Sequence, residues 1–169
     1  MGYESDYYTH GSVSDAENFN AVAKNLARLV SGQSWGGAVK GGKAMRDMTD
    51  PTIVWPIKPS RNEDVVDDST SPPTTSTFWR DEFDYKCNME IYMVIYKKAM
   101  RKEEEWETCS AKIYNLLLIH CPPDLEEVLK MMTNWDLVSV SENAMGLLAM
   151  IHDVLHDKTG GKADGDDVR

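Results

Sequence analysis

Residues 77–121 read TFWRDEFDYKCNMEIYMVIYKKAMRKEEEWETCSAKIYNLLLIHC, and this stretch decides the fold. It contains neither proline nor glycine before Pro122. Trp79, Phe83, Tyr92, Ile95, Tyr96, Ala99, Met100, Trp106, Ile113, Leu116 and Leu117 supply apolar positions along it. The pattern predicts one helix of about 44 residues, or ~65 Å at 1.5 Å per residue. Ser76 or Thr77 is placed to cap it. The charge-rich section Lys97–Glu107 reads as a solvated face with Met100 and Trp106 turned inward.

Outward from this helix the punctuation is clear. Pro122-Pro123 stops it, and Pro123 suits the first turn of the next helix, with Asp124, Glu126 and Glu127 near the positive end. Leu125, Val128, Leu129 and Met132 form its apolar face. Trp135–Val140 alternates briefly but is too short and isolated for a sheet. A last helix is expected from near Ser141, with Met145, Leu148, Ile151, Val154 and Leu155 inward, ending at Gly160-Gly161. Upstream, Ser14 and Glu17 make a capping box for a helix whose face is Phe19, Val22, Ala23, Leu26, Leu29 and Val30. Residues 35–48 read as a turn and a short helix carrying Val39, Ala44, Met45 and Met48. Pro51, Pro56 and Pro59 force extended chain, and Ile53, Val54, Trp55 and Ile57 between them suggest that it packs on the body.

The expected class is therefore all-α: a helical bundle with one long central helix (about 77–121), an N-terminal helix and two shorter C-terminal helices. The expected organisation is a disordered N-terminus (1–13), an N-terminal helical segment with the proline-bounded stretch (14–59), a disordered acidic Ser/Thr/Pro linker (60–77), a C-terminal helical region (78–158) and a disordered acidic tail (159–169). No strand pattern is expected.

The net charge of −10 disfavours several partners. Up to Thr77 there are 7 basic and 10 acidic residues, and 11 and 18 follow. A nucleic-acid binder neutralises phosphates with Lys and Arg, and neither half offers a basic stripe. An anionic membrane surface is disfavoured on the same ground, and no apolar run approaches the ~20 residues a bilayer requires. The start, Met1–Asp6, lacks the features of a signal peptide, and Asp6 replaces the Ser or Thr of a myristoylation site. Cys87, Cys109 and Cys121 are odd in number and lack metal-ligand spacing, so they read as reduced, buried thiols in a cytoplasmic protein.

Two near-motifs invite a chemical reading. Gly37–Ala44 matches a phosphate-binding loop in its glycines and Lys43, but Ala44 stands where the magnesium-binding hydroxyl belongs and no buried strand precedes it. His152 and His156, four residues apart, could share a zinc ion on one helix face. The general base of that motif would be Asp153 rather than Glu, and a third ligand is not evident. His120 and Cys121 are adjacent rather than facing. No catalytic residue, cofactor, metal or small-molecule substrate is expected; Trp79, Trp106 and Trp135 are placed as core anchors, with an interface role open for one or two of them.

The segment Lys112-Ile113-Tyr114-Asn115-Leu116-Leu117-Leu118-Ile119-His120-Cys121 resembles a signature in the Gag polyprotein of copia-type retrotransposons, notably those of algal and diatom genomes. Gly146-Leu147-Leu148-Ala149-Met150-Ile151 resembles that family's Gly-Leu-Leu-x-x-Ile helix. Asp15–Val30, Gly36-Gly37, Pro51–Pro59 and Phe78-Trp79 look like its first helix, Gly-Gly turn, proline-bounded stretch and aromatic-Trp opening, in that order. The likeness covers about Asp15 to Asp157. It places Trp79, Tyr114, Leu117, Cys121, Gly146, Leu147, Leu148 and Ile151 at family-motif positions. Ile119-His120 before the cysteine and Pro122 after it depart from the pattern, and the zinc knuckle that grips RNA is absent. The resemblance implies a truncated, capsid-like region that self-associates without catalysis, a degenerate or domesticated remnant. The alternative is a monomeric helical module that holds a partner peptide.

Overall fold

The computed structural model describes residues 7–9, 11 and 15–156. The chain is mostly helical, with one long central helix. In order it has α1 (Asp15–Ser31), α2 (Ala38–Asp47), β1 (Asn62–Asp67), β2 (Thr74–Trp79), α3 (Glu82–Ile119), α4 (Pro123–Lys130), α5 (Trp135–Val140) and α6 (Ala144–His156). Two compact units emerge: Met1–Pro51 with Glu105–Arg169, and Thr52–Glu104. The first 82–104 part of α3 belongs to the second unit and its 105–119 part to the first.

In the first unit the helical periodicity does what the sequence predicts. α1 buries Phe19, Val22, Leu26 and Val30, spaced by three and four residues, and packs on α2 and α6. Leu29, expected on the same face, is half exposed. The expected Ser14–Glu17 capping box falls partly outside the described residues. Instead, buried Asp15 accepts hydrogen bonds from the Gly11 amide at 2.8 Å and the Thr9 hydroxyl at 3.2 Å. A negative charge in a first helical turn is favourable there.

α2 sits close because it carries glycines. A Cβ on Gly42 would overlap Ser31 Oγ and the Ala27 carbonyl oxygen; one on Gly41 would come within 2.8 Å of both Cys109 Sγ and Ile113 Cδ1. Ala44 and Met45 are buried, whereas Val39 faces solvent.

α6 buries seven of its thirteen residues, more than one face can hold, as a helix enclosed by neighbours does. It begins at Ala144, three residues later than expected, because Asn143 is its cap: Asn143 Oδ1 accepts from the Gly146 amide at 2.8 Å. The Ala144 amide donates to Ser110 Oγ of α3 at 3.1 Å, and that hydroxyl lies 3.3 Å from the Glu142 carbonyl it donates to. α4 starts with Pro123 inside its first turn, as predicted, and buries Leu125 and Leu129. The C-terminal helices number three rather than two, since Trp135–Val140 is the short helix α5, with Val138 inward.

The second unit departs from expectation. Residues expected to form a disordered linker pair as an antiparallel hairpin, with Asp64 opposite Thr77 and Val65 opposite Ser76. Thr74, Thr75, Thr77 and Trp79 are β-branched or aromatic and suit an extended, half-solvated surface; polar composition hid this. Thr77 Oγ1 donates to Asp64 Oδ1 at 2.9 Å across the strands. In the turn, the Ser69 hydroxyl and amide bond to the Asp67 carboxylate and hold it below its ordinary range. Ser76 and Thr77 therefore do not cap α3. Asp81 does so, accepting from the Phe83 amide through Oδ2 at 3.1 Å. The proline-bounded stretch is extended as expected, but Val54 and Ile57 are 81% and 94% exposed rather than packed. Trp55 alone makes a ring contact there, 5.3 Å from Tyr96.

Candidate functional site

The family-motif positions occupy two different environments. Tyr114, Leu117, Cys121, Leu147, Leu148 and Ile151 belong to one buried cluster of the first unit. Gly146 is small for a reason: a Cβ there would lie 2.9 Å from Val138 Cγ2 and 3.2 Å from Asn143 Cγ, pushing α5 and the cap apart. Trp79, by contrast, ends β2 and is 65% exposed, so it is no core anchor. Trp106 and Trp135 are half-buried against the core.

Burial also silences the thiols. It pushes the Cys121 thiol up to about 12, with the Glu126 carboxylate adding to it. It raises Cys109 as well, against a smaller opposing effect of Lys112. The Tyr8 phenol and the Tyr114 phenol rise for the same first reason; Cys121 contributes at Tyr8, and Glu142 and Glu126 at Tyr114. Thiols held protonated are poor nucleophiles near neutral pH. Cys87 is half-buried, and all three cysteines are free.

His152 and His156 stack on each other at 3.9 Å between ring centroids and both meet Phe19 edge-on, at 5.2 and 5.5 Å. His156 Nδ1 lies 2.9 Å from the His152 carbonyl, and His152 Nδ1 lies 3.3 Å from Asp153 Oδ1. Among the described residues no group of three His, Cys, Asp or Glu side chains could hold a metal ion. The rings here extend the aromatic packing of α1 on α6. In the Gly37–Ala44 segment the glycines are packing elements, and Lys43 points into solvent.

A shallow groove of roughly 400 Å³ lies among Asp50, Trp106, Glu107, Ser110 and Glu142. Both serine hydroxyls of its wall are already used, Ser110 at the start of α6 and Ser141 in donating to the Leu137 carbonyl.

The feature that stands apart is the 82–104 part of α3. Successive residues turn by 100°, so Tyr85, Tyr92, Tyr96 and Ala99 share one side. That side is covered: the tyrosines are half-buried, Ala99 is 3% exposed, and Tyr92 and Tyr96 lie 5.7 Å apart. The opposite side carries Phe83, Cys87, Ile91 and Val94 at steps of four, four and three, with Ile95 at its edge. Phe83, Ile91 and Val94 are 72%, 58% and 55% exposed. Met100, expected inward, is also exposed. The signal for this was present in Ile91-Tyr92-Met93-Val94-Ile95, a run that points apolar groups in every direction around a helix. No helix among the described residues is long and apolar enough to cross a membrane, so the run is not a bilayer span.

No protein-family profile, curated protein or solved structure matches the chain.

Proposed function

We propose that this protein is a Gag-like, capsid-type structural protein of the copia retrotransposon kind, a degenerate or domesticated remnant that works by self-association and has no catalytic turnover. The uncovered face of α3, Phe83–Cys87–Ile91–Val94, carries the reading. Contiguous apolar side chains left in water are favourable only if something covers them. The ordered set of resemblances around Tyr114, Cys121 and Gly146-Leu147-Leu148 supports the capsid-like kinship. The net charge of −10 supports a protein that does not itself grip nucleic acid. Three free thiols support a reducing, cytoplasmic setting.

The test is the molar mass by light scattering over a concentration series at fixed salt, for the native chain and for Ile91→Asp. The expected result is a mass that climbs with concentration and no longer does so in the variant, with the helical circular dichroism unchanged. A monomer at every concentration overturns the reading in favour of a monomeric, peptide-binding helical module.

A further inference from the structure

The charges along the exposed half of α3 are sorted. Asp81, Glu82, Asp84 and Glu90 lie at its start with Lys86 among them, Lys97, Lys98, Arg101 and Lys102 follow the apolar run, Glu103 and Glu104 come next, and all are exposed. Acidic residues in the first turn answer the helix dipole. The basic block has no such explanation, because it lies mid-helix, far from the end at Ile119. Nor does it serve pairs within the helix. Among the described residues, Glu82 pairs with Lys86 at 3.1 Å, and none of the four later cations closes an ion pair in its own chain.

We infer that the Phe83–Cys87–Ile91–Val94 face pairs with the same face of a second copy of this chain, with the two α3 helices antiparallel about a two-fold axis passing between Tyr92 and Met93. The inference rests on the self-association reading above and names its surface and geometry. In that register Ile91 of one copy meets Val94 of the other at the centre. Cys87 meets Lys98, and Asp84 meets Arg101 at each end of the seam. On the flanks Glu90 lies beside Lys97. Every one of these contacts occurs twice, as an isologous interface requires. The parallel alternative in register sets Asp84 on Asp84, Lys98 on Lys98 and Arg101 on Arg101, like charges in a seam, which disfavours it. The seam from residue 84 to 101 is about five helical turns, ~27 Å. An interface of that extent is smaller than the standard size, so the pairing is expected in roughly the micromolar range.

Two experiments test it together. Sedimentation at fixed ionic strength compares the native chain with Glu90→Lys, Lys97→Glu and the double exchange. Each single variant puts like charges together twice and is expected to weaken dimerisation about tenfold, while the double exchange returns it to within about threefold of native. Mild oxidation of Lys98→Cys, which keeps the native Cys87, is expected to trap a disulfide between position 87 of one copy and position 98 of the other. The two positions in one chain are too far apart along a helix to bridge each other. A link between Cys87 and Cys87 in the native chain overturns the antiparallel geometry. Self-association without any effect of the charge variants and without the 87–98 link overturns this seam while leaving the capsid-like reading intact. A native chain that stays monomeric removes both.

Discussion

The two units of this chain use apolar residues in opposite ways. In the first, Val22, Ile113, Leu117, Leu125, Leu129, Leu147, Leu148 and Ile151 are wholly or almost wholly removed from water. In the second, Ala99 is the one described side chain that is fully buried, while Val54, Ile57, Phe83, Ile91 and Val94 stay in solvent. The same helix supplies both patterns. The difference shows that apolar periodicity states which residues prefer to be covered, and does not state whether the covering surface lies in the same chain.

The contrast can be broken by substitutions of matched chemistry. Leu147→Ala in the first unit is expected to cost about 2–5 kcal/mol, the transfer of the lost methyl groups plus the cavity they leave, measured by urea denaturation. A cost below about 1 kcal/mol would mean that this core is far looser than its burial. Gly42→Ala is expected to cost about 1–3 kcal/mol in the same measurement, since its Cβ meets the backbone carbonyl of Ala27 as well as Ser31. An unchanged midpoint would show that α2 can draw back from α1 freely.

Alkali sharpens the comparison. Burial raises the Cys121 thiol from 9.0 to about 12 in the folded chain. Between those values the unfolded chain has released its proton and the folded one retains it. Stability from this group is therefore complete below pH 9 and is lost as pH rises towards 12, by on the order of 1 kcal/mol per pH unit. Replacing Cys121 by Ala should flatten that slope, and a slope left unchanged would assign it to another group. The smallest stability effect belongs to the second unit. Ile91→Ala should move the unfolding midpoint of dilute monomer by less than about 1 kcal/mol, since the side chain is 58% exposed and Ala is the better helix former. A loss as large as that of Leu147→Ala would show that Ile91 is covered within its own chain.

What could be read in the sequence was what local chemistry determines. The three- and four-residue steps of Phe19, Val22, Leu26 and Val30, the stop at Pro122 and the short helix over Ala44 and Met45 all depend on neighbours within a turn or two. The β1–β2 hairpin was missed because its Ser, Thr and Asp content is that of a loop, and pairing of Asp64 with Thr77 spans the turn. Asp81 lost out to Ser76 and Thr77 as the expected cap because those two lie in a strand whose existence was not foreseen. Met100 reads as inward from its apolar character, yet it is exposed, because exposure is a property of the assembled chain. The histidine pair was legible as a face of α6; that Phe19 fills the space beside it depends on α1, more than a hundred residues earlier.

Ser110 holds the start of α6 from 34 positions away, by accepting the Ala144 amide. An amide at the first turn of a helix ordinarily exchanges its hydrogen with solvent whenever that end frays. Here the acceptor belongs to another helix, so fraying of α6 and separation of α6 from α3 open the same bond. In deuterated water the Ala144 hydrogen should therefore outlast its position in the helix, and its rate of replacement keeps time for the parting of two helices rather than for the loosening of one.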